Sequence, residues 1–514
     1  IIDSLPRVEK VIVFDELDAY DNKEIRLQRV MEMGDEFLKE QGDEKILRQG
    51  RTVLGHDMAN ISYTSGTTAD PKGIMLSHRN YTANVEQAMS LISITPEDSN
   101  LIIIPLDHCF GHVAGFYSFM AYGANVATVQ TGKTPIESLK NIPKNINEFK
   151  PTVLMSVPAL AKNFRKNIES TIHKKGATTE KLFKHALKVA YAYNKEGYNK
   201  GGASQLHKKA LLSIYDKLIF SKVRQGLGGK LKFFIGGGAL LDIELQRFFY
   251  AIGIPMFQGY GLSEATPIIS ANGIHKHKLG SSGALVKNLE LKICDMEGKE
   301  LPLGEKGEIV IKGENVMLGY WKNPQATAET IREGWLYTGD MGYMDKDGFL
   351  YVLGRFKSLL ISSDGEKYSP EGIEEGIVDK TKYISQMMLH NNQDPYTVAL
   401  VVPEKEQLKQ YVKRVRPELD WDSNEAKEMA LHKIQEVINR YKANGVNAGE
   451  FPERWLPAAI GVLPEAFTEQ NQLLNSTMKM VRGKIEERYT DRLKHLYTPE
   501  GKNIVNPLNI EALK

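Results

Sequence analysis

The sequence predicts an α/β protein of more than one domain, and three observations carry that expectation. Short apolar runs bounded by turn residues alternate with helix-period segments through the first two thirds of the chain. A β-rich, glycine-punctuated stretch follows from about residue 280, and a polar break after Arg355 leads into mixed patterning to the end. At 514 residues the chain is long enough for several buried cores.

In chain order, residues 10–14 (Lys-Val-Ile-Val-Phe) have the character of a strand inside a sheet. Residues 58–63 suit a buried strand, leading into a polar loop, Tyr63-Thr-Ser-Gly-Thr-Thr-Ala-Asp-Pro-Lys-Gly73. Beyond the loop, Ser77 is placed to cap a helix running through Val85 and Met89, so strand, loop and helix are expected in succession. Residues 101–105, 124–129 and 152–157 suit buried parallel strands with helices between them. Residues 232–235 repeat the pattern before Gly236-Gly-Gly238. Asp242 is then placed to cap a helix through Phe248, Phe249 and Ile252, stopped by Gly253. Residues 161–230 are helical in period, lysine-rich and poor in acids, the pattern of a solvated insertion. Residues 289–293, 307–312 and 348–353 suit hairpin strands, and a domain boundary is expected near Lys357.

Composition excludes some functions. A formal net charge of +2 with a quarter of residues charged disfavours nucleic acid as the main partner. The two cysteines, Cys109 and Cys294, form no disulfide framework or CxxC pattern, and a cytoplasmic location is expected. No apolar run is long enough to span a bilayer. The lysine-rich 161–230 insertion carries a second expectation, peripheral contact with anionic lipid at the inner face of a membrane, worth about 1 kcal/mol per close basic residue.

The loop at 63–73 carries the chemistry. Backbone N–H groups of a glycine-containing loop can converge on an anion, hydroxyls add donors, and Lys72 adds charge. The G-x-x-x-x-G-K-[ST] spacing of the common P-loop is absent. The order of residues instead resembles the phosphate loop of the AMP-forming adenylate synthetases (the ANL superfamily). Further segments, in the same order from residue 61 to 482, resemble its long-chain fatty acid:CoA ligases.

That resemblance implies a large N-terminal adenylating domain, 1–356, of stacked β-sheets with flanking helices and a small β-barrel-like part. A small, mobile α+β C-terminal domain, 357–514, would follow. Family members carry a substantial portion before residue 10, so an N-terminally truncated chain is expected. The substrates implied are ATP, a fatty acid and CoA, with Mg2+. Thr64, Ser65, Gly66, Thr67, Thr68 and Lys72 would hold the phosphates, Thr67 and Lys72 also acting catalytically. Gln258-Gly-Tyr-Gly-Leu-Ser-Glu264 resembles the family's Tyr-Gly-x-Thr-Glu signature, with Ser263 in place of the commoner Thr. By that match Tyr260 stacks on adenine, Ser263 touches the α-phosphate, and Glu264 with Thr67 holds Mg2+. Gly237, Gly238 and Ala239 line the adenine pocket with Gln258, Gly259 and Gly261, the last two also bordering the acyl substrate.

Thr338-Gly-Asp340 implies a ribose clamp, since a carboxylate accepts from both ribose hydroxyls at once, and Arg355 the adjoining contact. Lys357 falls at the family's hinge, and Gly365 in the loop that reaches the pantetheine tunnel. Pro105-Leu-Asp-His108 places His108 and Gly111 beside the acyl pocket. The Thr-Met-Lys479-x-x-Arg482 run marks Lys479 as the catalytic lysine, with Lys484 as the competitor. The alternatives are transfer of the acyl group to a carrier-protein thiol, a non-catalytic nucleotide- or lipid-binding remnant, and an aryl-activating ligase. Oligomeric state is left open.

Overall fold

The computed structural model describes residues 7–14, 16–17, 19–64, 71–132, 135–202, 205–364, 366–475 and 479–514. The chain divides into two units, Ile1–Asp57 and Met58–Lys514. In the first, strands β1 (Val11–Val13) and β2 (Glu24–Arg26) pair in parallel, followed by helices Leu27–Gln41 and Glu44–Gly50, which bury no side chain.

The second unit opens on a hairpin, β3 (Met58–Thr64) and β4 (Lys72–Ser77). Two expectations change here. A strand stands between the polar loop and the helix His78–Ala88, and β3 is largely exposed while β4 is buried, because β3 is an edge strand. The helix start is as expected. Asn80 N donates to Ser77 Oγ at 3.1 Å and Ser77 N donates to Asn80 Oδ1 at 2.8 Å, a reciprocal cap.

Next come β5 (Ser99–Ile102), β6 (Asn125–Thr128), β7 (Val153–Ser156), β8 (Phe233–Gly236), β9 (Met256–Gly261), β10 (Ile268–Ala271) and β11 (Ala284–Leu285). They form one seven-stranded sheet in the order β11-β10-β9-β8-β7-β5-β6. The strands from β9 to β6 run parallel, and the β10 and β11 edge is antiparallel. The helix Ile243–Ala251 starts where Asp242 Oδ1 accepts from Leu245 N at 3.0 Å.

The insertion is helical, as Pro158–Lys174, Ala177–Asn194 and Leu206–Tyr215, the last continuing to Gln225. It is not merely solvated. Phe164, Ile172, Phe183, Tyr215 and Phe220 share one core with Phe234 and Phe248 under the sheet. Phe183 meets both Phe220 and Phe248 edge-on, with ring centroids 6.2 Å apart.

Then come β12 (Leu289–Cys294), β13 (Gly307–Gly313), β14 (Gly319–Tyr320), β15 (Ile331–Arg332), β16 (Trp335–Met344) and β17 (Leu350–Arg355), all but β14 forming a second antiparallel sheet. Its order is β12-β13-β16-β15, with β17 on β16, while β14 pairs with β4. This excursion carries Tyr320 to the phosphate-loop hairpin.

Past the turn Phe356–Ser358 lie β18 (Leu360–Ser362), β19 (Lys367–Tyr368), β20 (Ile384–His390), β21 (Asn392–Asp394), β22 (Val398–Pro403) and β23 (Ala459–Val462). They form two three-stranded sheets, β19-β18-β21 and β20-β22-β23, flanked by helices such as Glu371–Asp379 and Asn424–Asn439. The cores of this part are built from Leu360 to Leu513, and those of the preceding part from Ile74 to Leu350. No helix among the described residues is long and apolar enough to cross a membrane.

Candidate active site

The site forms where β8 and β9 end side by side, Gly236 opposite Gln258. The chain after β8 turns sharply, with Gly238 at φ 84°, a left-handed conformation that suits glycine. Gln258 staples this turn. Its Oε1 accepts from Leu241 N at 2.7 Å and its Nε2 donates to the Ala239 carbonyl at 3.2 Å. The amide is thus committed to backbone, and Gln258 shapes the Gly237–Ala239 segment through those bonds. Gly261 allows a close crossing, since a Cβ there would sit 1.9 Å from the Pro267 carbonyl oxygen.

Tyr260, on β9, donates its hydroxyl to Asp340 Oδ2 at 2.7 Å across 80 residues of sequence. Asp340 lies on β16 in register with Arg355 of β17, whose Nε is 3.3 Å from Oδ1. Burial raises the Asp340 carboxyl above the usual carboxylate range, opposed by Arg355, Tyr260 and Lys479. The always-charged guanidinium beside it and the phenol donating to it both favour the ionised form. Burial, reinforced by that carboxylate, pushes the Tyr260 phenol well up, so it stays a donor. Each Asp340 oxygen retains a further acceptor position, enough for two sugar hydroxyls.

Glu264 sits in the short turn Ser263–Ala265 after β9. Its Oε1 accepts from the Tyr320 hydroxyl at 2.9 Å, and its carbonyl accepts from Met317 N at 2.9 Å. The Lys72 ammonium lies 4.8 Å from the centroid of the Tyr320 ring. The Arg355 guanidinium feels Asp340 most strongly and also Glu264, Tyr260 and Tyr320, so the two clusters share one electrostatic neighbourhood. Lys72, Glu264 and Asp340 therefore converge from three distant parts of the chain.

Ser65, Gly66, Thr67, Thr68 and Gly365 lie outside the described residues, as do the side chains of Thr64 and Lys357. The backbone of Thr64 pairs with Lys72 at the mouth of the hairpin.

Lys479 is pinned through its backbone. Asn475 N donates to its carbonyl at 2.9 Å, Lys479 N donates to Asn475 Oδ1 at 2.9 Å, and Leu474 bridges to Met480. Arg482, three residues on, is buried against the Glu374 carboxylate. The Lys479 ammonium is reachable by solvent, yet enclosed enough for desolvation to lower its pKa. Arg355 adds to the lowering, while Asp340, Glu371 and Glu375 oppose it. His108 responds to the same charge: burial first, then Lys479, holds its imidazole below the ordinary range. Its Nδ1 accepts from Phe110 N at 3.1 Å. Lys484 points elsewhere, donating from Nζ to Gln472 Oε1 at 2.9 Å on an exposed surface.

Gly111 lets the chain after His108 press against its own backbone, as a Cβ there would lie 2.2 Å from the Pro105 carbonyl oxygen. Two features stand outside the motifs named above: Tyr320, whose hydroxyl reaches Glu264, and the Lys162–Asp379 ion pair, 2.7 Å between helices Pro158–Lys174 and Glu371–Asp379.

The residues present fit magnesium held between protein and phosphate. Among the described residues no cluster of three His, Cys, Asp or Glu side chains could hold a metal alone. Among the same residues Glu264 Oε2 takes no hydrogen bond, and Mg2+ commonly takes one or two carboxylates with phosphate oxygens completing its shell.

A parallel sheet whose strand ends carry a glycine turn, a buried carboxylate with its arginine, and a lysine-bearing hairpin define an enzyme-type nucleotide site. The chain belongs to the AMP-binding enzyme family, which matches residues 3–321. Fatty acyl-CoA synthetase B of Dictyostelium discoideum is 27% identical over 504 residues, covering 96% of this chain and 71% of that protein. Long chain acyl-CoA synthetase 8 of Arabidopsis thaliana is 28% identical over 519 residues, covering 96% of this chain and 69% of that one. Other curated relatives are spanned over as little as 63% of their length. The crystal structure of the anthranilate CoA ligase AuaEII in complex with anthranoyl-AMP shares the fold, with TM-score 0.63 and 20% identity over 96% of this chain and 76% of that one.

Proposed function

We propose that the protein is an AMP-forming fatty acid:CoA ligase of long-chain type. The carboxylate oxygen of the fatty acid attacks the α-phosphorus of ATP, and the bond from that phosphorus to the bridging oxygen breaks, releasing pyrophosphate. The CoA thiolate then attacks the acyl carbon of the acyl-AMP, and the bond to the phosphate oxygen breaks, releasing AMP. The observation that carries this reading is the convergence of Lys72, Glu264, Asp340 and Arg355 on one neighbourhood that Lys479 also faces. The names of the curated relatives, fatty acyl-CoA and long chain acyl-CoA synthetases, supply the acid class.

In this reading Asp340 and Arg355 hold the ribose, Tyr260 flanks the base, and Lys72 with the 64–68 loop binds the phosphates. Lys479 neutralises charge developing on the transferring oxygens, the role that phosphoryl chemistry asks of a protein. Magnesium, when bound at Glu264, supplies charge neutralisation on the phosphates. A boundary at Lys357 would let the C-terminal part turn as a body between the two half-reactions, consistent with the separate cores on either side of it. Two buried, unpaired cysteines suit a reducing cytoplasm. The test is AMP formation by the full-length gene product from oleate or palmitate, ATP, Mg2+ and CoA. Acid-dependent release of both pyrophosphate and AMP is expected. Pyrophosphate without thioester would move the reading to a carrier-protein acceptor, and neither product would end it.

Peripheral contact with anionic lipid belongs to the same proposal. Residues 161–230 hold sixteen Lys and Arg against four Asp and Glu in a chain whose net charge is only +2. Leu206, Ile214 and Leu218 are 65%, 53% and 50% exposed along one helical ridge, with Lys209, Lys217 and Lys222 exposed beside them. An apolar ridge flanked by lysines suits a bilayer interface. Co-sedimentation with vesicles containing phosphatidylglycerol should be strong at 50 mM salt, weak at 500 mM, and lost on reversing the charge of those three lysines. Equal binding to neutral vesicles at both salt levels argues against it.

A further inference from the structure

Tyr320 is a buried group that the reaction above leaves without a task. It sits in Gly319-Tyr-Trp-Lys-Asn-Pro. Its ring and its hydroxyl do different things. The hydroxyl donates to Glu264 Oε1 at 2.9 Å, and the Lys72 ammonium lies 4.8 Å from the ring centroid.

The residue is fixed in place. It is 6% exposed, its backbone pairs with Ile74, two residues past Lys72 on β4, and its N–H donates to Thr327 Oγ1 at 2.9 Å. Tyr320 thus touches both side chains, and among the described residues Lys72 and Glu264 make no direct ion pair. The aromatic ring gives the ammonium a face to rest on, and the hydroxyl satisfies one carboxylate oxygen. Both charges are thereby kept available.

We infer that Tyr320 is a positioning residue: a spacer that stops Lys72 and Glu264 neutralising each other, keeping the lysine for phosphate and the second Glu264 oxygen for magnesium. This rests on the adenylating reading of the same site. It predicts that hydroxyl and ring are separable. Losing the hydroxyl should act on the metal side, whereas losing the ring as well should also act on the phosphate side.

The experiment is ATP binding measured by calorimetry on the full-length protein, with and without Mg2+. Tyr320→Phe is expected to raise the Mg2+ concentration for half-maximal enhancement of ATP binding roughly tenfold, the scale of one hydrogen bond to a charged group. Its metal-free ATP affinity should stay within about twofold. Tyr320→Leu is expected to weaken metal-free ATP binding as well, by roughly fivefold. In a Glu264→Gln background, Tyr320→Phe should add no further Mg2+ effect. Thermal melting checks that each variant is folded, and Tyr320→Leu carries the test if Tyr320→Phe loses its cooperative transition.

An unchanged Mg2+ titration for folded Tyr320→Phe, or wild-type ATP binding by Tyr320→Leu, overturns the spacer role. Those results would leave the adenylating reading standing, provided the wild type binds ATP and releases pyrophosphate. A wild type that binds no ATP at any Mg2+ concentration takes both down together.

Discussion

Replacing Lys479 with alanine is expected to slow acyl-AMP formation by about two to three orders of magnitude, the loss seen when a charge-stabilising donor is removed from a closed site. The same change at Lys484 should alter the rate by less than about threefold, because that ammonium is tied to Gln472 on an exposed surface. Pyrophosphate exchange isolates the first half-reaction. Thioester formation from chemically prepared acyl-AMP should be far less affected, since the lysine acts on the phosphate chemistry. The pH dependence is a second signature. Lys479 works as a cation, and burial with the neighbouring Arg355 lowers its pKa. The charged form is present below that pKa and lost as pH rises through it. The alkaline limb of the adenylation rate should therefore fall earlier than the ordinary lysine value of about 10.4 predicts. Lys479→Arg, which does not titrate in this range, should flatten that limb even if its rate is lower. Equal losses for the alanine changes at Lys479 and Lys484 would displace the lysine from its role.

That contrast shows what the sequence could and could not supply. The core strands were legible because buried parallel strands appear as short apolar runs between turn residues, as at Val153–Ser156 and Phe233–Gly236, whereas their order in the sheet was not. The caps at Ser77 and Asp242 were legible because a side chain two or three residues from its backbone partner is a local event. The strand Lys72–Ser77 was not read as one, its first two residues being counted with the loop and the next three left unassigned before the cap at Ser77, since a run of six residues does not reveal its own period. The insertion's lysines hid an apolar stripe, Phe164, Ile168 and Ile172, that packs it into the core.

At the site, motif positions were visible one by one, but their pairings were not. Gln258 matched a nucleotide-binding segment, yet its amide is spent on the backbone of Ala239 and Leu241. Tyr260 and Asp340 were assigned separate roles, yet a hydrogen bond makes them one unit. Tyr320 reaches Glu264 only because β14 pairs with β4, a tertiary fact with no local signature.

The Tyr260–Asp340–Arg355 unit gives the other large expected effect. Asp340→Ala should weaken AMP binding about a hundredfold or more. Two charge-assisted hydrogen bonds to sugar hydroxyls would be lost, each contributing about 1.5–3 kcal/mol. It should also destabilise the protein, because Tyr260 and Arg355 both lose their acceptor. Breaking a fully buried pair costs about 3–5 kcal/mol, but the Arg355 side chain is 46% exposed and can turn to water, so about 1–3 kcal/mol is expected here. Asp340→Asn separates shape from charge. Its oxygen can still accept from Arg355 while its nitrogen donates to the Tyr260 hydroxyl, but the charge and one oxygen for the sugar are gone, so it should rescue only a small part of the affinity. Tyr260→Phe removes one donor and leaves the ion pair, and should cost about tenfold in AMP affinity or less. Calorimetric titration with AMP, alongside thermal melting of each variant, orders the three. An Asp340→Ala protein that binds AMP within twofold of wild type would place the nucleotide elsewhere. A variant that loses stability and keeps affinity would leave Asp340 as a strut between two sheets, with no part in holding the ligand.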